Sequence, residues 1–163
     1  MANVCVITGG GSGMGFEAAK FMPKDKIIVL SGRTLEKLEK AVEQLKALGF
    51  TAYAKTCDTS DRESVKQLVD FCLELGEIKN VINSAGLSPA MSNPETIVKV
   101  NALGTVYVNQ EFSKVMAPGS VIVDVSSNSA YILPSFLINK KIYTLAETDE
   151  QKFISKIITI LIE

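Results

Sequence analysis

The chain has 163 residues, 47% hydrophobic and 21% charged, with a formal net charge of −1 at neutral pH. This fits one soluble globular domain, residues 1–163, and gives no electrostatic case for a nucleic-acid partner or an anionic membrane surface. Histidine is absent, which removes His-based acid–base pairs and ordinary zinc sites, so no metal centre is expected. Cys5, Cys57 and Cys72 form no CxxC pair and read as buried, reduced thiols of a cytoplasmic protein. The start lacks the basic and apolar regions of a secretory signal, and no apolar run has membrane length.

Residues 4–8 form a short apolar run that ends in the cluster Gly9-Gly10-Gly11-Ser12-Gly13-Met14-Gly15. Such a run, without helical period, predicts a parallel strand covered on both faces. A helix is expected over 16–22, closed by Pro23, and a second buried strand over 26–31. Leu35, Leu38, Val42, Leu45 and Leu48 then fall at helical spacing, with Gly49 as the stop. A third strand over 51–56 and a helix over about 61–75 follow, the latter burying Val65, Leu68, Val69 and Cys72. A fourth strand is expected over 80–84. A polar loop through Pro89 and Pro94 then leads to a long helix over 97–115, and Pro118-Gly119 turn the chain into a fifth strand over 121–126. Residues 133–148 lack a clear period, whereas Phe153, Ile154, Ile157, Ile158, Leu161 and Ile162 make an apolar helical stripe.

Strands alternating with helices require right-handed crossovers and a parallel sheet. The expected fold is α/β: a Rossmann-type doubly wound sheet in three α/β/α layers, ordered 3-2-1-4-5. Its nucleotide-binding core is assigned to 1–130. Residues 131–163 are expected to be an insert, or the start of a C-terminal part without which the fold is incomplete. A fifth strand at the sheet edge would expose Val121 and Val123, and the terminal stripe would need a cover, through further chain or self-association.

The glycine cluster follows a buried strand, opens a helix and lies in a strand–helix–strand unit of roughly 30 residues, the setting of a dinucleotide diphosphate site. Glycines let the backbone turn and approach the diphosphate, and the helix N-terminus offers free N–H groups. Gly9, Gly11, Ser12, Gly13, Met14 and Gly15 are the candidate residues, and side-chain bulk is read as being avoided at the four glycines.

Residues 8–15 resemble the TGxxxGxG signature of the short-chain dehydrogenase/reductase family, and Asn83-Ser84-Ala85-Gly86 resembles its NNAG motif, changed at Ser84. Asp58 is similar to the acidic residue that contacts adenine. Asn101 matches the active-site asparagine, and Val121 to Ser127 resemble the strand that delivers the catalytic serine. The resemblance implies that Asp58, Asn83, Ala85 and Gly86 contact the cofactor. It also implies that Ser127 holds the substrate oxygen and that Asn101 anchors a water.

At the end of the second strand, Ser31-Gly32-Arg33-Thr34 offers no carboxylate for a ribose 2′-hydroxyl, and Arg33 presents a permanently charged fork suited to a 2′-phosphate. NADP(H) is therefore favoured over NAD(H), although Ser12 stands where many NADP-preferring relatives carry a basic residue. The family's Tyr-x-x-x-Lys proton relay is missing: Tyr131 is followed four positions on by Ser135, and Tyr143 by Glu147. The expected function is hydride transfer between a nicotinamide cofactor and a small carbonyl or alcohol substrate, by a homo-oligomer (dimer or tetramer). Residues 1–163 themselves are expected to be inactive. The alternative is a non-catalytic dinucleotide-binding sensor or scaffold.

Overall fold

A computed structural model of the chain describes residues 2–127 and 140–162. Along the chain lie β1 (Asn3–Thr8), α1 (Gly13–Lys20), β2 (Ile27–Gly32), α2 (Leu35–Ala47), β3 (Thr51–Thr56), α3 (Arg62–Leu75) and β4 (Glu77–Asn83). They are followed by α4 (Pro94–Val98), a π-helical turn (Lys99–Leu103), α5 (Gly104–Ser113) and β5 (Val121–Asp124). A 3-10 turn (Lys140–Ile142), α6 (Leu145–Thr148) and α7 (Glu150–Ile162) complete the described elements. The five strands pair in parallel in the order β3-β2-β1-β4-β5, the doubly wound arrangement expected from the sequence.

Alternation along the inner strands feeds two apolar layers. Val4, Val6 and Val29 face one core with Leu68, Val108 and Phe112; Cys5, Ile7, Ile28 and Leu30 face the other with Leu38, Leu45 and Ala19. Both faces being covered, the strand sequences read as continuous apolar runs. At the β5 edge the cover is one-sided: Ile122 packs on the α3/α5 core, whereas Val121 and Val123 are each half-exposed.

Among the boundaries that differ from expectation, three have a clear physical reason, while β5 stops at Asp124, short of the expected 126. α1 begins at Gly13 and ends by Lys20, because its first turn is built from glycines whose weak helix propensity masks the start. β4 begins at Glu77 rather than Asn80. The register with β1 slips between Val4 and Cys5, so Lys79 is an extra residue that breaks the alternation, and it pairs with Glu77 at 2.6 Å. The long helix begins at Pro94, a favourable first helical residue, with the Asn93 side chain accepting from Thr96 N–H at 2.9 Å. It is interrupted by the π-helical turn over Lys99–Leu103.

The terminal stripe finds its cover in part within the chain. Phe153 and Ile154 are buried in the same core as Val98, Tyr107 and Ile142, with Ile157 and Ile158 packed against it. The side chains of Leu161 and Ile162 lie outside the described residues. A polar cluster fixes α7 to this face. Arg62 on α3 binds the buried Glu111 at 2.7 Å, lies 3.6 Å from Glu150 and stacks 4.4 Å from the Tyr107 ring centre. Tyr107 donates to Glu150 at 2.7 Å, and Lys114 binds Glu111 at 2.6 Å.

The hydrogen bond from Lys114, reinforced by Arg62 and opposed by burial, holds the Glu111 carboxyl below its ordinary pKa of 4.5. A carboxyl whose pKa falls on folding stabilises fully above the unfolded value, and the contribution is lost as pH falls through the folded one. Glu111→Gln should therefore cost on the order of 1 kcal/mol at pH 7. Urea midpoints measured downward through the glutamate range should fall less steeply for the variant than for the parent.

Candidate functional site

The carboxyl ends of β1, β2, β3 and β4 converge on a cleft lined by Gly9, Gly32, Arg33, Asp58, Ala85 and Gly86, with Cys57, Leu87, Met91 and Val100 completing its walls. This is where a doubly wound sheet binds ligands. Five of the residues singled out in the sequence, from four separate segments, are thus brought together.

The glycine turn is shaped by close packing. Gly9 has φ +65°, and a Cβ there would lie 2.8 Å from the Ser84 carbonyl oxygen. At Gly15 a Cβ would lie 2.3 Å from Ser84 Oγ and 2.9 Å from the Gly9 carbonyl oxygen. The chain's own packing crowds Gly9 and Gly15 but not Gly11 or Gly13. At Gly11 a Cβ would meet Leu38 at an ordinary 3.4 Å, and at Gly13 (φ +61°) nothing lies within 4 Å. Gly10, passed over in the sequence, is tighter: a Cβ would lie 2.8 Å from the Ile7 carbonyl oxygen and 2.9 Å from Leu30.

Ser12 precedes α1 without a side-chain capping bond, and no acidic residue occupies the first turn. Among the described residues the α1 N-terminus thus has no side-chain cap, and Met14 is well exposed beside it. The backbone cradle fits the diphosphate of a dinucleotide.

Asn83 sits one layer deeper. Its Oδ1 accepts from Thr8 Oγ1 at 2.6 Å, and its Nδ2 donates to Asp124 Oδ1 at 2.8 Å and to Thr105 Oγ1 at 3.4 Å. Asp124 Oδ2 in turn accepts from Asn109 at 2.9 Å. Ser84, where the motif departs from the family pattern, donates to the Thr8 carbonyl at 2.6 Å, tying β4 to β1. Asp58 Oδ1 accepts from Ser60 N–H and Oγ at 2.9 and 2.7 Å, while Ser64 Oγ accepts from Asp58 N–H at 3.0 Å.

Asn101 lies in the π-helical turn and clamps the backbone of Leu87. Its Oδ1 accepts from Leu87 N–H, and its Nδ2 donates to the Leu87 carbonyl, both at 2.8 Å. Its own carbonyl accepts from Thr105 Oγ1 at 2.9 Å. The clamp fixes the loop that forms one wall of the cleft. Ser127 is exposed just past β5; Tyr131 and Ser135 lie outside the described residues.

The described tyrosines are otherwise engaged or remote. Burial and the bond to Glu150 push Tyr107 up to about 12, Tyr53 is on the edge strand β3, and Tyr143 is half-exposed. Burial likewise raises all three thiols, Cys5 and Cys72 to about 12, which keeps them protonated and unreactive.

Gly15→Ala should destabilise the chain by about 1–3 kcal/mol through overpacking against Ser84 and Gly9. Ser84→Ala removes the nearest obstacle, so the double variant should lose less in urea denaturation than the two single losses added together.

Comparison with known proteins points the same way. The family model described as short chain dehydrogenase matches residues 3–137. The short-chain dehydrogenase/reductase bsc3 of Alternaria brassicicola is 31% identical over 148 residues, 91% of this chain and 54% of that protein. Human carbonyl reductase [NADPH] 1 is 29% identical over 77% of this chain and 49% of its own length. Among solved structures, the citronellol catabolism dehydrogenase of Pseudomonas aeruginosa superposes with a TM-score of 0.69 at 32% identity, covering 78% of this chain and 56% of that one. An actinorhodin polyketide ketoreductase solved with NADPH shares the fold, with a TM-score of 0.70 at 23% identity over 80% of this chain and 55% of that one. The chain spans about half the length of the curated relatives just described. With its glycine turn, parallel sheet order and matched segments in register, the chain belongs to the short-chain dehydrogenase family.

Proposed function

We propose that this chain is the nucleotide-binding part of an oxidoreductase that moves hydride between NADP(H) and a small carbonyl or alcohol substrate. The observation that carries the reading is the cleft at the strand ends, with the tight Gly9–Gly15 turn and uncapped α1 at one end and Arg33 at the other. Two of the proteins it resembles carry NADPH in their descriptions. When bound, the nicotinamide supplies or accepts the hydride.

The chain's own residues bind and orient. First-turn N–H groups hold the diphosphate, Asp58 faces the adenine, and Ala85 and Gly86 form the wall on which the nucleotide rests. Arg33 takes the 2′-phosphate. Asn101, which clamps Leu87, anchors a water as the resemblance implies, and Ser127 holds the substrate oxygen. A proton relay of the Tyr-x-x-x-Lys type is not supplied by residues 1–163, since neither Tyr131 nor Tyr143 has a lysine four positions on. A homo-oligomeric state and a cytoplasmic setting complete the reading, the latter in keeping with three buried free thiols.

Fluorescence titration with NADPH and NADH tests the site. The parent should bind NADPH more tightly, and Arg33→Ala should weaken NADPH about tenfold while leaving NADH within about twofold. Equal losses for both cofactors would defeat the role given to Arg33. Residues 1–163 loaded with NADPH should oxidise no cofactor when offered simple aldehydes and ketones, and steady turnover would overturn the assignment of the missing relay.

A further inference from the structure

Beside the nucleotide cleft lies a second, more open recess of ≈ 350 Å³, lined by Arg33, Lys55, Thr56, Asp58, Ser64 and Gln67 above the buried Cys57. Arg33, Cys57 and Asp58 belong to both, so the recess continues the cleft past its adenosine end. From this geometry we infer that Lys55 is a second cation for the ribose phosphate of NADP(H), and with Arg33 a determinant of cofactor choice. The inference rests on the nucleotide reading above and deepens it.

A phosphate monoester carries a charge of about −1.5 to −2 near neutral pH, more than one guanidinium neutralises. The glycine loop offers no second cation, since Ser12 is a hydroxyl residue. β3 supplies one instead. The parallel register sets Lys55 opposite Ser31 and Thr56 opposite Gly32, which places Lys55 on the strand beside the one that delivers Arg33. Among the described residues, neither Lys55 nor Arg33 pairs with a carboxylate.

The ammonium of Lys55 lies 5.4 Å from the Phe71 ring centre, a loose contact that restrains the side chain without neutralising its charge. Neutral polar residues complete the lining. Ser64 Oγ accepts from Asp58 N–H and is hydrogen-bonded to the buried Cys57 thiol, and Thr56 and Gln67 line the same recess. The one carboxylate in the lining, Asp58, has Oδ1 taken by two bonds from Ser60, which holds it in its own turn. The lining therefore bears two cations against one anion.

Calorimetric titration with adenosine 2′,5′-bisphosphate and with 5′-AMP isolates the contribution of the extra phosphate. For the parent the bisphosphate should bind more tightly. Lys55→Gln should weaken it about tenfold, the scale of one charge-assisted contact, leave 5′-AMP within about twofold, and be rescued by Lys55→Arg. Parallel losses for both ligands, or no loss for either, would overturn the role of Lys55 while leaving the nucleotide site standing if the parent still prefers NADPH. A parent that binds neither NADPH nor NADH would bring down the underlying site together with this inference. Urea denaturation of Lys55→Gln should match the parent, since the side chain is partly exposed and makes no ion pair.

Discussion

The ends of β1, β4 and β5 meet at a single buried amide, that of Asn83. A parallel sheet gains no alignment of its strand ends from backbone pairing alone, because each strand terminates where its own loop departs. Here the Asn83 side chain receives the Thr8 hydroxyl on one side and donates to Asp124 and Thr105 on the other, so both its oxygen and its nitrogen are used. An unsatisfied amide at that depth would be costly, which makes the arrangement close to all-or-none. Ala85 N–H donates to Thr8 Oγ1 and Ser84 Oγ donates to the Thr8 carbonyl, so the same junction sets the turn that follows β4. The cleft wall over 85–87 is held from below by this junction and from the side by Asn101.

The π-helical turn takes its meaning from the same requirement. The widened turn over residues 99–103 carries Asn101, whose amide makes two opposed hydrogen bonds to the backbone of Leu87. The local irregularity in α-helical geometry thus coincides with a clamped loop beside the cleft. Farther from the cleft, Arg62 joins α3, α5 and α7 through Glu111, Glu150 and the face of Tyr107. This partly buried cluster sets the register in which Phe153 and Ile154 reach the core, and apolar packing alone would leave that register loosely defined.

Much of this was legible in the residues themselves. Buried runs over 4–8 and 26–31 cannot be solvent-facing strands, and their separation by one glycine turn and one helix leaves few topologies. The motif residues Gly9, Arg33, Asp58, Ala85 and Gly86 are met at one cleft. Less visible were the features that depend on distant partners. Glu77 and Lys79 disguised the start of β4 because a bulge removes the period a reader relies on. Glu111, one acidic residue among many, showed nothing in the sequence to mark it as buried. Lys55 gave no sign of sharing a recess with Arg33, since the two lie 22 positions apart and only strand pairing brings their segments together.

Periodicity, glycine placement and motif order are local properties, and they suffice to determine which segments become strands, how those strands connect, and where the glycine turn lies. The identity of each residue's neighbours across the sheet is not local. The pairing of Thr8 with Asn83, the crowding of Gly15 by Ser84, the cover found for Phe153 and the shared recess of Arg33 and Lys55 all arise when segments tens of residues apart are packed to near-solid density. Those contacts exist only once the tertiary structure has formed.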